Sequence, residues 1–238
     1  MNRDIIVAPF QRMHCDEQEF DGKNHTIKVE HNAQLFLINY LGYYDRPAVT
    51  YDFFVEPFAT LFYFPLVMGN HPLDLTFRFT LERAAKVIVE GIYILNNEQQ
   101  CRITTLQHHT APHASSSVAI NGIGAGTSSF YYRGTIAIEK NAENSIARQE
   151  NKTLLLSAHA RAHSLPCLEV HTNKVQCAHG SATGPLGAEL IHYGQSRGLS
   201  YAQIQSLLLS SMLRNTLQHF PEAQVRDRII NESLKKVA

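Results

Sequence analysis

Short apolar or alternating runs, separated by polar turns, recur at nearly even spacing through most of this chain. Between residues 25 and 176 almost no helical periodicity interrupts them, so the pattern predicts a long β body. The predicted strands are 26–29, 34–40, 50–54, 60–64, 75–81, 87–95, 103–106, 118–123, 130–138, 153–156 and 167–170. Regular short strands are typical of a sandwich, a barrel or a β-helix, and periodicity alone does not choose among these.

The pattern changes to helix after Gly184. We predict helices within 185–197, 201–220 and 222–235, and Ser200 followed by Gln203 forms a capping box for the second. The apolar side of that second helix is expected to carry Ile204, Leu207, Leu208, Met212 and Leu217. A tail of short amphipathic helices must fold against the body or dock a partner.

Composition excludes several classes of protein. The 238 residues carry 21 Lys and Arg against 21 Asp and Glu, without a dense basic run, so nucleic acid is not expected as a partner. No apolar stretch is long enough to span a bilayer, and the first residues lack a signal-peptide pattern. We therefore expect no membrane partner and a cytoplasmic location. No Ser/His/Asp or paired-carboxylate spacing favours an enzyme.

Cysteine and histidine residues are the candidate ligands. Cys177 and His179 are two residues apart, so in an extended strand both side chains leave on the same face, as two metal ligands would. Thiolate and imidazole suit iron or an iron-sulfur cluster. The alternative is that Cys177 is a small buried residue and His179 a hydrogen-bonding one. Cys101 and Cys167 are expected to be strand or interior residues.

The histidines at 108, 109 and 113 suggest a second hypothesis, a metal site of cupin type. The acidic residues nearest upstream, Glu90 and Glu98, have the wrong spacing for it. Surface or coil-capping roles are therefore favoured for His108, His109 and His113.

An ordered series of motifs runs along the second half of the chain, from a Leu-Leu-Leu-Ser coil through Pro-x-Leu-Glu-Val and Cys-Ala-His-Gly to Ser-Arg-Gly. The residues of this series are Gln149, Asn151, Pro166, Glu169, Cys177, His179, Gly180, Gly184, Glu189, Tyr193, Ser196, Arg197 and Gly198. In their order and spacing they resemble the SufB/SufD family of iron-sulfur cluster assembly, most closely its SufD side, and the likeness extends over about residues 87–220.

The resemblance implies a fold, namely an all-β core with an α tail: a right-handed parallel β-helix followed by a small C-terminal helical region. We accordingly divide the chain into a short N-terminal extension (1–24), the β-helix (25–184) and the helical region (185–238). SufD relatives usually carry an N-terminal helical region, which is expected here to be missing or reduced to residues 1–24. The acidic pair that usually precedes the Cys motif is replaced by Asn173 and Lys174.

The resemblance also implies a function, that of a scaffold subunit rather than an enzyme. Such a subunit pairs through its β-helix with a SufB-like chain or a second copy of itself, and its helical tail docks a SufC-like ABC ATPase. The docking residues expected here are Ile204, Leu207, Leu208 and Met212. A transient iron-sulfur cluster or iron, shared with the partner chain, would use Cys177 and His179. SufB carries a thiol where this chain has Asn151, which favours the SufD role. The remaining alternative is a β-helix interaction module that has lost cluster chemistry.

Overall fold

The computed structural model describes residues 3–9, 11–17, 24–42, 48–68, 71–218, 220 and 223–237. Strands come first along this part of the chain and helices last. The strands are β1 (Arg3–Val7), β2 (Arg12–Glu17), β3 (Asn24–Val29), β4 (Gln34–Leu41), β5 (Ala48–Val55), β6 (Thr60–Met68), β7 (Leu73–Leu81), β8 (Lys86–Leu95), β9 (Gln100–His109), β10 (Ser115–Gly124), β11 (Ser129–Ile138), β12 (Ile146–Leu155), β13 (Arg161–Val170) and β14 (Gln176–Pro185). The helices are α1 (Ala188–Ser196), α2 (Tyr201–Thr216) and α3 (Ala223–Val237).

The strands form two parallel sheets of seven strands each. One contains the odd-numbered strands in the order β1 to β13, and the other contains the even-numbered strands in the order β2 to β14. We call them the odd-strand sheet and the even-strand sheet. The chain alternates between them, and each strand pairs in parallel with the strands two before and two after it. This topology is a parallel β-helix, which confirms the predicted fold class.

Alternating side chains explain why these segments form strands with one face inside. In β7 the residues Leu75, Phe77 and Phe79 are buried, whereas Asp74 and Arg78, at the alternate positions, face outward. Aromatic rings of neighbouring coils stack on one another, as do those of Phe53 and Phe79, whose centroids are 4.9 Å apart. Each coil therefore buries its apolar side chains against its neighbours.

One column of turns ties successive coils together. Asn32, Phe58, Ala84, His113 and Asn144 all have positive φ angles, and their backbone amides donate to carbonyl oxygens of the following coil. These turns carry the chain from one sheet to the other. The two-residue turn of a hairpin would instead return the chain antiparallel to the strand it has just left.

The helices α2 and α3 cover the outer face of the even-strand sheet. Leu209, Leu213 and Leu217 pack with Ile229 and Ile230 of α3 against the outward side chains of β4, β6 and β8. This cover explains why the second halves of those strands are buried on both faces. The predicted apolar side of α2 was therefore wrong in part, because Leu209 and Leu213 face the sheet while Leu207 is 62% exposed.

The predicted strands all overlap observed ones, and the capping box of Ser200 and Gln203 is present. Three observed strands had no predicted counterpart, namely β1, β2 and β14. Since β1 and β2 pair with β3 and β4, the β-helix includes Arg3–Val7 and Arg12–Glu17, which were predicted to belong to a separate extension. The change to helix falls as predicted, between Pro185 and Ala188. Residue 219 of the second predicted helix and residue 222 of the third lie outside the described residues.

Candidate functional site at the open end of the β-helix

The β-helix ends at β13 and β14, and each of these strands is paired on one side only. Their other edges present unpaired backbone N–H and C=O groups. Apolar side chains are unusually exposed on β13: Leu165 is 41%, Leu168 42% and Val170 38% exposed. We call this surface of β13 and β14 the open end. It has the features of an edge on which another chain can pair.

Cys177 and His179 lie on β14, at this open end. They are aligned with Ala147 and Gln149 of β12, which are both buried inside the β-helix. Both side chains therefore belong to the inward face of β14, in agreement with the predicted same-face arrangement. Cys177 is partly buried against the apolar cluster of Ile136, Ile138, Ala142 and Ala147, whereas His179 is exposed.

Burial raises the pKa of the Cys177 thiol above its ordinary value. The protonated thiol is therefore favoured near neutral pH, because desolvation penalises the thiolate. A bound metal would reverse this preference, since coordination removes the thiol proton. Among the residues that the structure describes, no group of three or more His, Cys, Asp or Glu side chains is arranged to hold a metal ion. Cys177 and His179 thus form at most part of a ligand set within one chain.

Beneath β14, the inward face of β12 is a polar row of Gln149, Asn151 and Thr153, all buried. The Asn151 amide donates to the carbonyl oxygen of Ile120 at 2.5 Å, and that of Gln149 to the carbonyl oxygen of Gly134 at 3.4 Å. A Cβ at Gly134 would overlap the Gln149 carboxamide, so the missing side chain makes room for Gln149. Gln149 and Asn151 are among the residues that carry the family resemblance. In the structure they lie on β12, directly beneath β14.

A buried hydrogen-bond network lies one coil deeper. The imidazole Nε2 of His109 is 2.7 Å from Ser116 Oγ, which donates to Gln107 Oε1 at 2.7 Å. Burial lowers the pKa of His109 to about 4. In the register of the even-strand sheet, Ala147 lies between Ser116 and Cys177. An apolar layer therefore separates this network from the Cys177 thiol.

This buried network corrects the surface or coil-capping role predicted for His109. Sequence reasoning missed it, although the alternation from Cys101 to Ile103 continues through Thr105 and Gln107 to His109. Extending the alternation along β9 would have placed His109 inside.

The other two predicted histidines have separate environments. His108 points to the opposite face of β9, where its Nε2 is 2.9 Å from Glu139 Oε1 on the surface. His113 occupies a turn with a φ of 63°. The three histidines do not converge on one site. A cupin is a double-sheet antiparallel jelly roll, so the parallel β-helix also rules out that alternative.

The remaining cysteine predictions concern Cys101 and Cys167. Cys101 is buried inside the β-helix, and burial raises its pKa well above the ordinary value. Cys167 lies on β13 and is half-buried. Both are therefore strand residues, as predicted.

The motif residues of β13 and β14 shape the open end. Pro166 and Glu169 belong to β13, and Gly180 and Gly184 to β14. A Cβ at either glycine would meet nothing within 4 Å. Neither glycine is therefore required by packing within this chain.

The motif residues after the β-helix form the joint between α1 and α2. Ser196 Oγ donates to the carbonyl oxygen of Tyr193, and the Arg197 guanidinium lies 5.3 Å from the centre of the Tyr193 ring. Gly198 has a φ of 83°, a conformation that ends helices and favours glycine. Glu189 lies in the first turn of α1, where a carboxylate is favourable.

The predicted docking residues occupy different environments. Leu207 is 62% exposed, and Leu208 and Met212 are half-buried. Ile204 is buried against Gly194, where a Cβ would lie 2.6 Å from the Ile204 side chain. Ile204 therefore holds α1 to α2, while Leu207 faces outward. No described helix is both long and apolar enough to cross a membrane.

Comparison with known proteins identifies a family and several relatives. A family described as the SUF system FeS cluster assembly SufBD core domain matches residues 11–212. The chain is 27% identical over 131 residues to an iron-sulfur cluster assembly SufBD family protein of Synechocystis, covering 55% of this chain and 27% of that protein. It is 29% identical over 147 residues to a SufBD family protein of Antithamnion, covering 61% and 50%. It is 22% identical over 171 residues to iron-sulfur cluster assembly protein SufD of Plasmodium falciparum, covering 71% and 12%.

The match thus spans between about an eighth and a half of the length of these relatives. The family match over residues 11–212 nevertheless includes nearly all of the β-helix and most of α2. The chain belongs to the SufBD core family of the SUF system for iron-sulfur cluster assembly.

Proposed function

We propose that this chain is a SufD-like scaffold subunit for iron-sulfur cluster assembly in the cytoplasm. It pairs through the open end of its β-helix and docks a SufC-type ABC ATPase through its helical tail. The observation that carries the proposal is the open end itself, where β13 and β14 each have one unpaired edge and β14 carries the Cys177–His179 pair, in a chain that belongs to the SufBD core family. The chain acts as a scaffold and not as an enzyme.

Pairing at the open end accounts for the exposed apolar residues of β13. A partner strand would satisfy the free backbone groups and cover Leu165, Leu168 and Val170, which solvent reaches in the single chain. A SufB-like chain and a second copy both supply a β-helix end for this purpose. Covering this surface also lowers the aggregation hazard of a long exposed edge.

The iron-sulfur cluster is cargo that the paired chains share. Cys177 and His179 supply a thiol and an imidazole, and the partner supplies the other ligands. The inward face of β14 places both side chains on the same side of the strand. Asn151 lies below them as a hydrogen-bonded amide, so it contributes no thiolate. This distribution of ligands suits a SufD role beside a SufB-like chain.

The helical tail supports ATPase docking. Leu190, Tyr193, Tyr201 and Leu207 are exposed on α1 and α2, whereas Leu209 and Leu213 hold α2 to the even-strand sheet. The tail therefore presents apolar surface on a rigid support. The sequence has no Gly-x-x-x-x-Gly-Lys-Ser/Thr phosphate loop, so ATP belongs to the partner.

Co-purification with a SufC-type ATPase tests the docking proposal. We expect Leu207→Glu to reduce capture of the ATPase at least tenfold, because a carboxylate would be buried at the interface. Phe54→Glu is the matched control, since Phe54 is 45% exposed and lies on the odd-strand sheet away from the helices. Equal capture by both variants and the wild type would contradict docking through α2.

A second candidate function is an interaction module without cluster chemistry. It is favoured by the incomplete ligand set in the described residues and by the raised pKa of Cys177. Such a module would still pair and dock the ATPase. Its distinguishing result is a paired complex that takes up no iron and sulfide.

A further inference from the structure

A groove of about 400 Å³ crosses the outward face of the odd-strand sheet, near the beginnings of β7, β9, β11 and β13. One side of it is a row of outward side chains that lie in register on these four strands, namely Asp74, Arg102, Tyr131 and His163. Two residues earlier along their strands, Pro72 and Ser129 also line the groove, and their side chains are short. A volume in this range is typical of sites for small molecules.

Three members of the row form a stack. The Arg102 guanidinium lies 5.0 Å from the centre of the Tyr131 ring, and the His163 ring stacks on the same ring at 5.5 Å. Because β9 and β13 flank β11 on opposite sides, the Tyr131 ring lies between the other two groups. An arginine stacked on an aromatic face keeps the N–H groups at its edge free to donate. The stack therefore holds three potential hydrogen-bond donors in fixed positions beside the groove.

The arginines around this stack are not neutralised by carboxylates. Arg133 and Arg161 lie on β11 and β13, on the same outward face as the stack. In the part of the chain that the structure describes, Arg102, Arg133 and Arg161 form no ion pair. This local excess of positive charge favours the binding of an anion.

Two further features place the anion at the end of the groove formed by β11 and β13. The Tyr131 hydroxyl makes no hydrogen bond with a described residue, so it is available to a ligand. Among the described residues that line the groove, Asp74 carries the one carboxylate, and it lies at the opposite end of the row from His163. Repulsion by Asp74 therefore directs an anion toward Tyr131 and His163.

The rest of the groove is partly apolar. Pro72, Leu73 and Phe130 line it, and Leu73 and Phe130 are 7% and 4% exposed. A ligand that covers these residues removes apolar surface from water, which stabilises the complex. The lining thus combines an apolar part with a small number of ordered donors, the usual composition of a small-molecule site.

We propose that this groove binds a small organic phosphate. The phosphate group lies over the Tyr131 hydroxyl, between Arg102 and His163, and the organic part lies along Pro72 and Leu73. The planar fork of an arginine pairs well with phosphate oxygens. A phosphate group has three acceptor oxygens, so it can accept from all three members of the stack. The inference is independent of the proposed scaffold function, because Cys177 and His179 lie on a different strand and on its inward face.

Calorimetric titration of the full chain with phenyl phosphate tests the ligand class. Inorganic phosphate and phenol are titrated separately, since each represents one part of that probe. We expect phenyl phosphate to bind about tenfold more tightly than either part, because only it contacts both the stack and the apolar lining. Equal affinity for phenol would overturn the role of the phosphate group, and equal affinity for inorganic phosphate would overturn that of the organic part. Absence of binding at millimolar phenyl phosphate would overturn the site itself.

Replacement of Arg102 tests the position of the phosphate group. We expect Arg102→Ala to weaken phenyl phosphate binding about tenfold, because a charge-assisted hydrogen bond is lost. Arg78→Ala is the matched control, since Arg78 lies on the same sheet face but is paired with Asp52 at 2.8 Å and does not line the groove. Its affinity should stay within about twofold of the wild type. Equal losses in the two variants would mean that general charge attraction, and not the groove, binds the probe.

Tyr131→Phe separates the hydroxyl from the ring. The variant keeps the aromatic ring between Arg102 and His163 and removes only one donor, so we expect its affinity for phenyl phosphate to fall roughly threefold to tenfold. Thermal unfolding should match that of the wild type, since the hydroxyl makes no hydrogen bond with a described residue. Wild-type affinity in this variant would show that the phosphate group does not lie over the Tyr131 hydroxyl.

Discussion

The interior of the β-helix changes character between its first coils and its last ones. From β3 to β8 it is filled mostly by aliphatic and aromatic side chains such as Leu37, Phe53 and Phe79, and His25 and Asn39 are buried polar residues among them. From β9 onward the inward positions include Gln107, His109, Gln149 and other polar residues. Because each coil contacts only its neighbours, polar groups in the last coils need not weaken the packing of the first. The fold thus has an apolar end that stabilises it and a polar, open end that carries the candidate site.

The two ends also differ in how they tolerate change. A buried apolar side chain contributes through area and packing, so its loss leaves a cavity. A buried polar side chain contributes little net free energy when paired, yet its partner is costly to leave unpaired. The stability of the apolar end should therefore be most sensitive to truncation of side chains. That of the polar end should be most sensitive to changes in hydrogen bonding, protonation or side-chain volume.

Truncation in the apolar end gives the largest expected effect. Phe79→Ala should lower the free energy of unfolding by about 3 to 5 kcal/mol, because Phe79 is fully buried and stacked on Phe53. Denaturant unfolding measures this. Phe54→Ala, on the exposed face of β5, should change the value by less than about 0.5 kcal/mol. A small effect at Phe79 would show that this end is not the stabilising one.

Protonation of His109 should weaken the polar end in acid. Its folded-state pKa of about 4 lies below the ordinary 6.5, so the unfolded chain binds the proton more readily. The contribution of His109 is complete above pH 6.5 and is lost as the pH falls from 6.5 toward 4. At 1.36 kcal/mol per pKa unit the loss approaches roughly 3 kcal/mol.

His109→Gln isolates that contribution, since the amide can still donate to Ser116 but does not titrate in this range. The stability of this variant should fall less steeply between pH 6.5 and 4 than that of the wild type. If the stabilities of the variant and the wild type fall equally steeply, His109 is not the residue whose protonation destabilises the protein.

Filling the space at Gly134 should cost about 1 to 3 kcal/mol, because an added Cβ overlaps the Gln149 carboxamide. Gly134→Ala is compared with Gln149→Ala and with the double variant in thermal or denaturant unfolding. The double variant should lose less than the sum of the single changes, since removing Gln149 removes the overlap. Strict additivity would contradict the direct contact between these positions.

Loss of one hydrogen bond in the polar end gives the smallest expected effect. Thr105 Oγ1 lies 2.8 Å from the Tyr132 hydroxyl, and both are buried. Thr105→Val should lower the free energy of unfolding by about 1 to 2 kcal/mol, because the Tyr132 hydroxyl loses its partner. In a Tyr132→Phe background the same change should cost less. Equal costs in both backgrounds would mean that the bond contributes nothing.

The sequence predicts the apolar end more fully than the polar one. Alternation of large apolar residues identifies strands such as β7, but β14 is a run of small and polar residues around Gly180 that carries no such alternation. It is a strand because its backbone pairs with β12, an interaction between distant residues that local pattern does not encode. Motif resemblance, and not periodicity, indicated a β-helix.

The helical tail shows a different limit. Leu207, Leu208 and Leu209 are consecutive, so apolar periodicity fits several faces of α2. Packing against the outward side chains of β4, β6 and β8 selects the face of Leu209 and Leu213, which depends on tertiary contacts. The pair Cys177 and His179, by contrast, was predictable, because spacing by two residues defines a common face in any regular strand.

Cluster reconstitution tests most directly whether the polar open end is the functional one. The purified full chain is incubated anaerobically with iron and sulfide, alone and with a SufB-like partner, and charge-transfer absorption is recorded. Changing Cys177 to serine and His179 to alanine should abolish most of the absorption. The control with Cys101 to serine and His108 to alanine, which also removes one thiol and one imidazole, should retain it. Equal absorption in the Cys177–His179 variant and the wild type would contradict the account.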